Sequence, residues 1–141
     1  MKTIYGQRWD FEIGNTLVSV DNAYDTSGWG KERLIVNGET VQDSAGRNRS
    51  YQAYEEPWLT YDGEVQFAVK LKSNLFHVYC QAWVGDEPVA CQSYYEAVWS
   101  GGEESWPESG QWIKKKNIPQ EVISPRNYIS EALNRLKVWK K

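Results

Sequence analysis

The residues able to do covalent or acid–base chemistry are few: one histidine, two cysteines and a set of loop carboxylates. A nucleophile–base pair needs a base poised near neutral pH, and His77 is the single imidazole. Strand alternation puts it on the face opposite Phe76, Val78 and Cys80, beside Lys70 and Tyr94, where a solvated or hydrogen-bonded structural histidine is the simpler reading. One His with two core-facing Cys falls short of a zinc ligand set, and Cys80 and Cys91 lack Cys-x-x-Cys spacing. No metal and no cofactor are expected. Glycosidases need only two suitably separated acids, and Glu55-Glu56 and Glu103-Glu104 offer pairs, but adjacent acids in polar loops read as solvated surface. Phosphate-loop, dinucleotide and kinase signatures are absent, and Gly101-Gly102 runs into two glutamates, a poor setting for a phosphate. The chain therefore reads as a non-enzyme, with a small hydrolase using paired carboxylates as the third choice.

The aromatic content is more informative, with eight tryptophans and nine tyrosines. In a β-sandwich some of these rings must lie on an outer face, where they stack on sugars or bases or anchor a protein interface. His77, Tyr79, Trp83 and Tyr94 share the face opposite the cysteines and form the candidate binding face. Either the chain's own C-terminal helix covers them, which is the preferred reading, or they make an exposed patch.

The elements that would position these residues are strands. Over residues 65–95, turns at Ser73-Asn74 and Gly85-Asp86 set Leu71 against Phe76, Val69 against Val78, Phe67 against Cys80 and Val65 against Ala82. The next reversal sets Ala82 against Val89 and Cys80 against Cys91. Both registers put the apolar residues on one face. Opposed cysteines leave two readings: a cross-strand disulfide, or a pair of buried thiols acting as small apolar groups, which is preferred.

Upstream, Trp9 pairs with Val20 and Phe11 with Val18 across Gly14-Asn15, and Asn37-Gly38 closes a second hairpin between residues 32–36 and 39–42. Asp62-Gly63 closes a third and sets Trp58 against Phe67. Residues 22–31 and 43–57 read as polar loops, the latter with a short strand over 51–54. Residues 99–107 read as a surface loop, and a short strand fits 111–114. Ser124-Pro125 then opens an amphipathic helix whose apolar face carries Ile129, Ala132, Leu133, Leu136 and Trp139.

The 141 residues suit a single domain: a β-sandwich core over 1–95, a loop-rich connection over 96–123 and a helix over 124–140. Residues 1–113 hold 8 Lys/Arg against 17 Asp/Glu, net -9, while residues 114–141 hold 8 against 2, net +6. The basic tail is expected to dock on the acidic body in preference to nucleic acid or a membrane surface. No apolar run has the length of a membrane span and the start lacks a signal peptide, so the cytoplasm is the expected compartment, with reduced thiols.

Trp9-Asp10, the Gly14-Asn15 turn, the strand ending Val18-Ser19-Val20-Asp21, the Gly30-Lys31-Glu32-Arg33 run leading into Asn37-Gly38, and the 65–95 meander occur in an order that resembles the Fas apoptotic inhibitory molecule family over residues 9–95. The resemblance implies a compact antiparallel β-sandwich without a catalytic centre that works by contact with other proteins. The tail from Glu96 has no counterpart, so an anti-apoptotic role is not carried over. The sequence thus predicts a mainly β, antiparallel sandwich of consecutive hairpins with one C-terminal amphipathic helix. Its expected role is non-enzymatic protein binding, inhibitory or sequestering. The second choice is carbohydrate binding through surface Trp and Tyr.

Overall fold

The computed structural model describes residues 2–47, 53–60, 62–73 and 78–119. His77 and the helix expected over 124–140 lie outside the described residues. Strand β1 (Lys2–Ile13) turns into β2 (Thr16–Tyr24), with Trp9 facing Val20 and Phe11 facing Val18. Gly14 alone carries the positive φ of that turn, 63°, as a II′ reversal requires. Strands β3 (Trp29–Val36) and β4 (Glu39–Arg47) meet at Asn37 and Gly38, whose φ values of 49° and 83° are the paired left-handed residues of a I′ turn.

Two segments expected to be loops are strand. β2 continues to Tyr24 and β3 begins at Trp29, leaving only residues 25–28 to turn, and β4 runs on to Arg47 opposite Trp29. Polar residues hid the alternation, because each strand has a partner that satisfies its backbone whatever its side chains are. A bulge opposite Leu34 and Ile35 leaves Val41 unpaired and exposed.

Strands β5 (Ala53–Leu59), β6 (Gln66–Ser73), β7 (Val78–Val84) and β8 (Glu87–Val89) form a second antiparallel sheet in that order. Trp58 faces Phe67 and Ala82 faces Val89, as the turn chemistry predicts. The β6–β7 register differs: Cys80 faces Leu71 and Ala82 faces Val69, four residues from the expected pairing, because Ser73 pairs with Val78 and the reversal does not fall at Ser73-Asn74. An even displacement keeps every side chain on its face, so Phe67, Val69, Leu71, Cys80 and Ala82 still point inward.

The larger correction lies after Val89. The chain leaves β7, and β9 (Ser93–Gly101) pairs with β1 in the first sheet, with Tyr94 opposite Trp9. Residues 99–101, expected in a loop, complete this strand. A short 3-10 turn at Ser109–Gln111 leads to β10 (Ile113–Lys115), on the outer edge of β9. The six-stranded sheet therefore runs β10-β9-β1-β2-β3-β4. Among the described residues no helix is long and apolar enough to cross a membrane.

The sheets pack face to face in a sandwich-like arrangement. Trp9, Phe11, Ile13, Val18, Val20, Leu34 and Tyr94 of the larger sheet meet Phe67, Val69, Leu71, Cys80 and Ala82 of the smaller. The alternate residues of the larger sheet build a second core on its other side, where Ile4, Ala23, Trp29, Ala97, Trp99 and Trp112 cluster with Trp106 against them. Gly6 makes this possible. A Cβ there would lie 2.7 Å from Trp99 Cζ3 and 3.2 Å from Trp112 Cη2, so the rings use the space a side chain would fill.

The β2–β3 turn is tied by Asp25, whose Oδ1 accepts from Ser27 N (2.8 Å) and Ser27 Oγ (2.6 Å), while Lys2 Nζ lies 3.4 Å from Oδ2. The hydrogen bonds from Ser27, ahead of those from Trp29 and Lys2, pull this carboxyl down to about 2.

Two outcomes follow from these contacts. Gly6→Ala should cost ~1–3 kcal/mol in urea unfolding, because a rigid indole must move; wild-type stability would show that Trp99 does not rest on Gly6. Since Asp25 titrates lower in the folded chain, its contribution is complete above the ordinary carboxyl pKa of 3.8 and is lost as pH falls through about 2. Asp25→Asn should accordingly lower the melting temperature at neutral pH and flatten its decline across that acid window, as read by calorimetry.

Candidate functional site

The expected binding face is divided by the strand crossing. Tyr79 and Trp83 alternate with the inward Cys80 and Ala82 and so lie on the outer face of the smaller sheet, Tyr79 buried and Trp83 partly so, with Lys72 Nζ 6.0 Å from the Trp83 ring. Tyr94 belongs to the other sheet and points into the sandwich, its ring 5.3 Å from that of Trp9. It shares no face with Tyr79 and Trp83, because β9 pairs with β1 and does not prolong the hairpin from β8. His77 lies outside the described residues.

Cys80 and Cys91 are both free thiols. They are not strand partners: β8 ends at Val89, and the Cys91 thiol instead donates to the carbonyl oxygens of Ser93 (3.2 Å) and Asp10 (3.5 Å). Burial raises both thiols, Cys91 to about 11, so neither is a thiolate near neutral pH. Among the described residues no group of three His, Cys, Asp or Glu could hold a metal ion. Glu103, one of the paired loop acids, is bound by Lys2 Nζ at 3.1 Å.

On the outer face of the larger sheet, Asp21 is fully buried between Arg8 and Arg33, its cross-strand partners on either side. Arg8 donates through Nε (2.6 Å) and Nη2 (2.7 Å), one to each carboxylate oxygen, and Arg33 Nε donates at 2.8 Å. Trp112 lies 4.6 Å from the Arg8 guanidinium and Trp106 lies 4.1 Å from that of Arg33. Lys31 Nζ sits 4.0 Å from the Trp106 ring and donates to the Ser105 carbonyl. Burial, then the Arg33 charge, brings Lys31 down to about 8. These cations are committed to the chain's own acid, carbonyl and rings, so the cluster reads as the lock on the loop that carries Trp106 and Trp112.

The opposite, core-side face of the same sheet carries a different set. Rows of strand partners run across it, and one row reads Ile113, Glu96, Gln7, Asn22, Glu32, Ser44 across all six strands. A hydrogen-bond chain follows it: Asn22 Nδ2 donates to Gln7 Oε1 (2.9 Å), Gln7 Nε2 to Tyr94 Oη (2.9 Å), and Tyr94 Oη to Glu96 Oε2 (2.7 Å). Burial raises the Tyr94 phenol, and accepting from Gln7 only partly offsets this, so it stays protonated as a donor to Glu96. The neighbouring row holds Val98, Tyr5, Tyr24, Gly30 and Gly46. Tyr5 and Tyr24 stack at 5.7 Å and stand 36% and 39% exposed, with Val98 at 61%.

This end of the sheet is the candidate site. The sequence reading missed it because Tyr5 precedes the first recognised strand residue and Tyr24 and Glu32 fell at or beside an expected loop; the usable signal was the continued two-residue period Val18, Val20, Asn22, Tyr24. Family models, curated proteins and solved structures yield no match to this chain.

Asp21→Ala should cost ~3–5 kcal/mol in urea unfolding, since it leaves two partly buried guanidiniums without the acid they share. It should also unquench or shift the emission of Trp106 and Trp112 before global unfolding. A loss below ~1 kcal/mol would mean the triad contributes no more than an exposed ion pair.

Proposed function

We propose that this chain is a non-enzymatic protein-binding module and that it recognises its partner with the Tyr5–Tyr24 end of the larger sheet. The observation that carries the reading is the exposed, stacked Tyr5–Tyr24 pair beside Val98, bordered by the hydrogen-bonded row that ends in Glu96. Tyrosine offers a large apolar body with a polar tip at small conformational cost, which is why it recurs at the energetic centres of interfaces. The indoles on the opposite face are used up: Trp29 and Trp99 of the sheet pack with Trp106 and Trp112 of the loop that covers it. Glu96, exposed at the end of the row and held by the Tyr94 hydroxyl, gives a partner a carboxylate in a fixed position.

A carbohydrate reading draws on the same tyrosines and on the amide and carboxylate groups beside them, and a glycan array separates the two. Wild-type bait should capture a discrete protein from an extract of the native cell, and Tyr5→Ser/Tyr24→Ser bait should lose it while keeping the wild-type circular dichroism spectrum. Equal capture by the double variant, or saturable glycan binding that the double variant loses, would overturn the proposal.

A further inference from the structure

We propose that the chain's own tail, residues 120–141, docks on the outer face of the smaller sheet and buries Tyr79 there; this goes beyond the binding reading and does not depend on it. Tyr79 alternates with the inward Cys80 and so points away from the sandwich core, yet it is 5% exposed. The outer face of an antiparallel sheet is wet unless something lies on it, as Tyr5 and Tyr24 are at 36% and 39%. The neighbours of Tyr79 share its shelter. Ala68, Lys70, Lys72, Gln81 and Trp83 on this face are all half-buried, and Lys70, Tyr79 and Gln81 are each engaged by a hydrogen bond, a ring or a charge. Leu59 and Gln66, at the far end of the same face, are exposed. No described element supplies the cover. β1 to β4, β9 and β10 make the larger sheet, Trp106 and Trp112 hold their loop on that sheet's other side, and Ile118 packs against the sandwich core.

Length and reach select the tail. Ile118 places the start of the tail at the margin of the sandwich, and the chain from Pro119 to Ser124 can extend ~17 Å, more than the ~10 Å between packed layers. The amphipathic stretch expected over 124–140 carries Ile129, Ala132, Leu133, Leu136 and Trp139 along one side, which as a helix covers ~15 Å. Tyr79 and Trp83 lie ~13 Å apart along β7. The reversal over 74–77 has four residues tied to Ser73 and Val78, too few to extend over Trp83 as well as Tyr79. Charge does not choose this face. Residues 120–141 hold 5 Lys/Arg against 2 Asp/Glu, and Lys70 and Lys72 have the same sign. Apolar burial chooses it, with the lysine stems lying along the stripe and their heads turned to water, so the docking should resist salt.

The test uses the full chain with Asn134→Cys, on the polar side of the stripe, and a nitroxide attached to the added thiol. Cys80 is buried and Cys91 stays protonated near neutral pH, so neither competes for the label. Amide NMR signals of Lys70, Lys72, Tyr79, Gln81 and Trp83 should lose most of their intensity, while those of Tyr5, Tyr24 and Val98 keep most of theirs, in low and high salt alike. In the full chain with Leu133→Asp/Leu136→Asp, hydroxyl-radical labelling of Tyr79 and Trp83 should rise several-fold while Trp9 and Phe11 stay protected. Broadening centred on another face, no broadening at all, or loss of the broadening in high salt would overturn the proposal. So would unchanged labelling of Tyr79 in the double variant. If that variant exposes Trp9 and Phe11 as well, it has unfolded and the nitroxide result decides alone.

Discussion

A carboxylate with no solvent exposure, placed in the middle of a sheet, must be answered by donors from its neighbours. Asp21 is answered by Arg8 on one side and Arg33 on the other, so a single buried charge ties β1, β2 and β3 across the strands. The guanidiniums, held by the acid they share, become flat cationic floors on which Trp112 and Trp106 rest. Without the acid the two arginines would repel across one intervening strand, and the rings would lose the surface that orders them. The loop carrying Trp106 and Trp112 therefore depends on an ion cluster inside the sheet as much as on its own sequence.

This arrangement makes the larger sheet a middle layer. One face meets the smaller sheet through Trp9, Phe11, Val18, Val20 and Leu34, and the other meets the tryptophan loop across Gly6, Ala23 and Ala97. A sheet covered on both sides does not show a clean apolar-in, polar-out alternation. That is why β1 reads weakly before Trp9, where Ile4 and Gly6 serve the second core while Tyr5 and Gln7 point to the other face. It also explains the tryptophan excess: of the eight indoles, three lie in the second core and Trp106 packs against it.

Local chemistry was legible in the sequence wherever a turn had a backbone requirement. Asn37-Gly38 needs two positive φ values and has them, and Gly14-Asn15, Asp62-Gly63 and Gly85-Asp86 each set the strand pairing the alternation implied. The β6–β7 reversal lacked such a residue pair, and there the register was off by four while the faces held. Sheet membership was not legible. Period two says which face a residue takes and nothing about which sheet its strand joins, so Tyr94 was assigned with Tyr79 and Trp83 when it belongs with Trp9. The candidate site was hidden for the same reason, since Tyr5, Gln7, Tyr24, Glu32 and Glu96 become neighbours only when β9 crosses to β1.

The polar row beside the core breaks the rule that the rest of the sheet obeys. Asn22 continues the inward series of Val18 and Val20, and a leucine there would extend the sandwich core by one more buried side chain. The asparagine instead leaves a buried acceptor unmatched and commits Gln7 and Tyr94 to a chain that ends at an exposed carboxylate. Such a position lowers stability relative to the apolar choice, and local violations of folding rules of this kind concentrate where a protein recognises something. The cost lies on the face with the exposed tyrosines. The Arg8–Asp21–Arg33 cluster, equally polar, has its donors matched to the acid and its rings stacked, so it spends its charge on the fold.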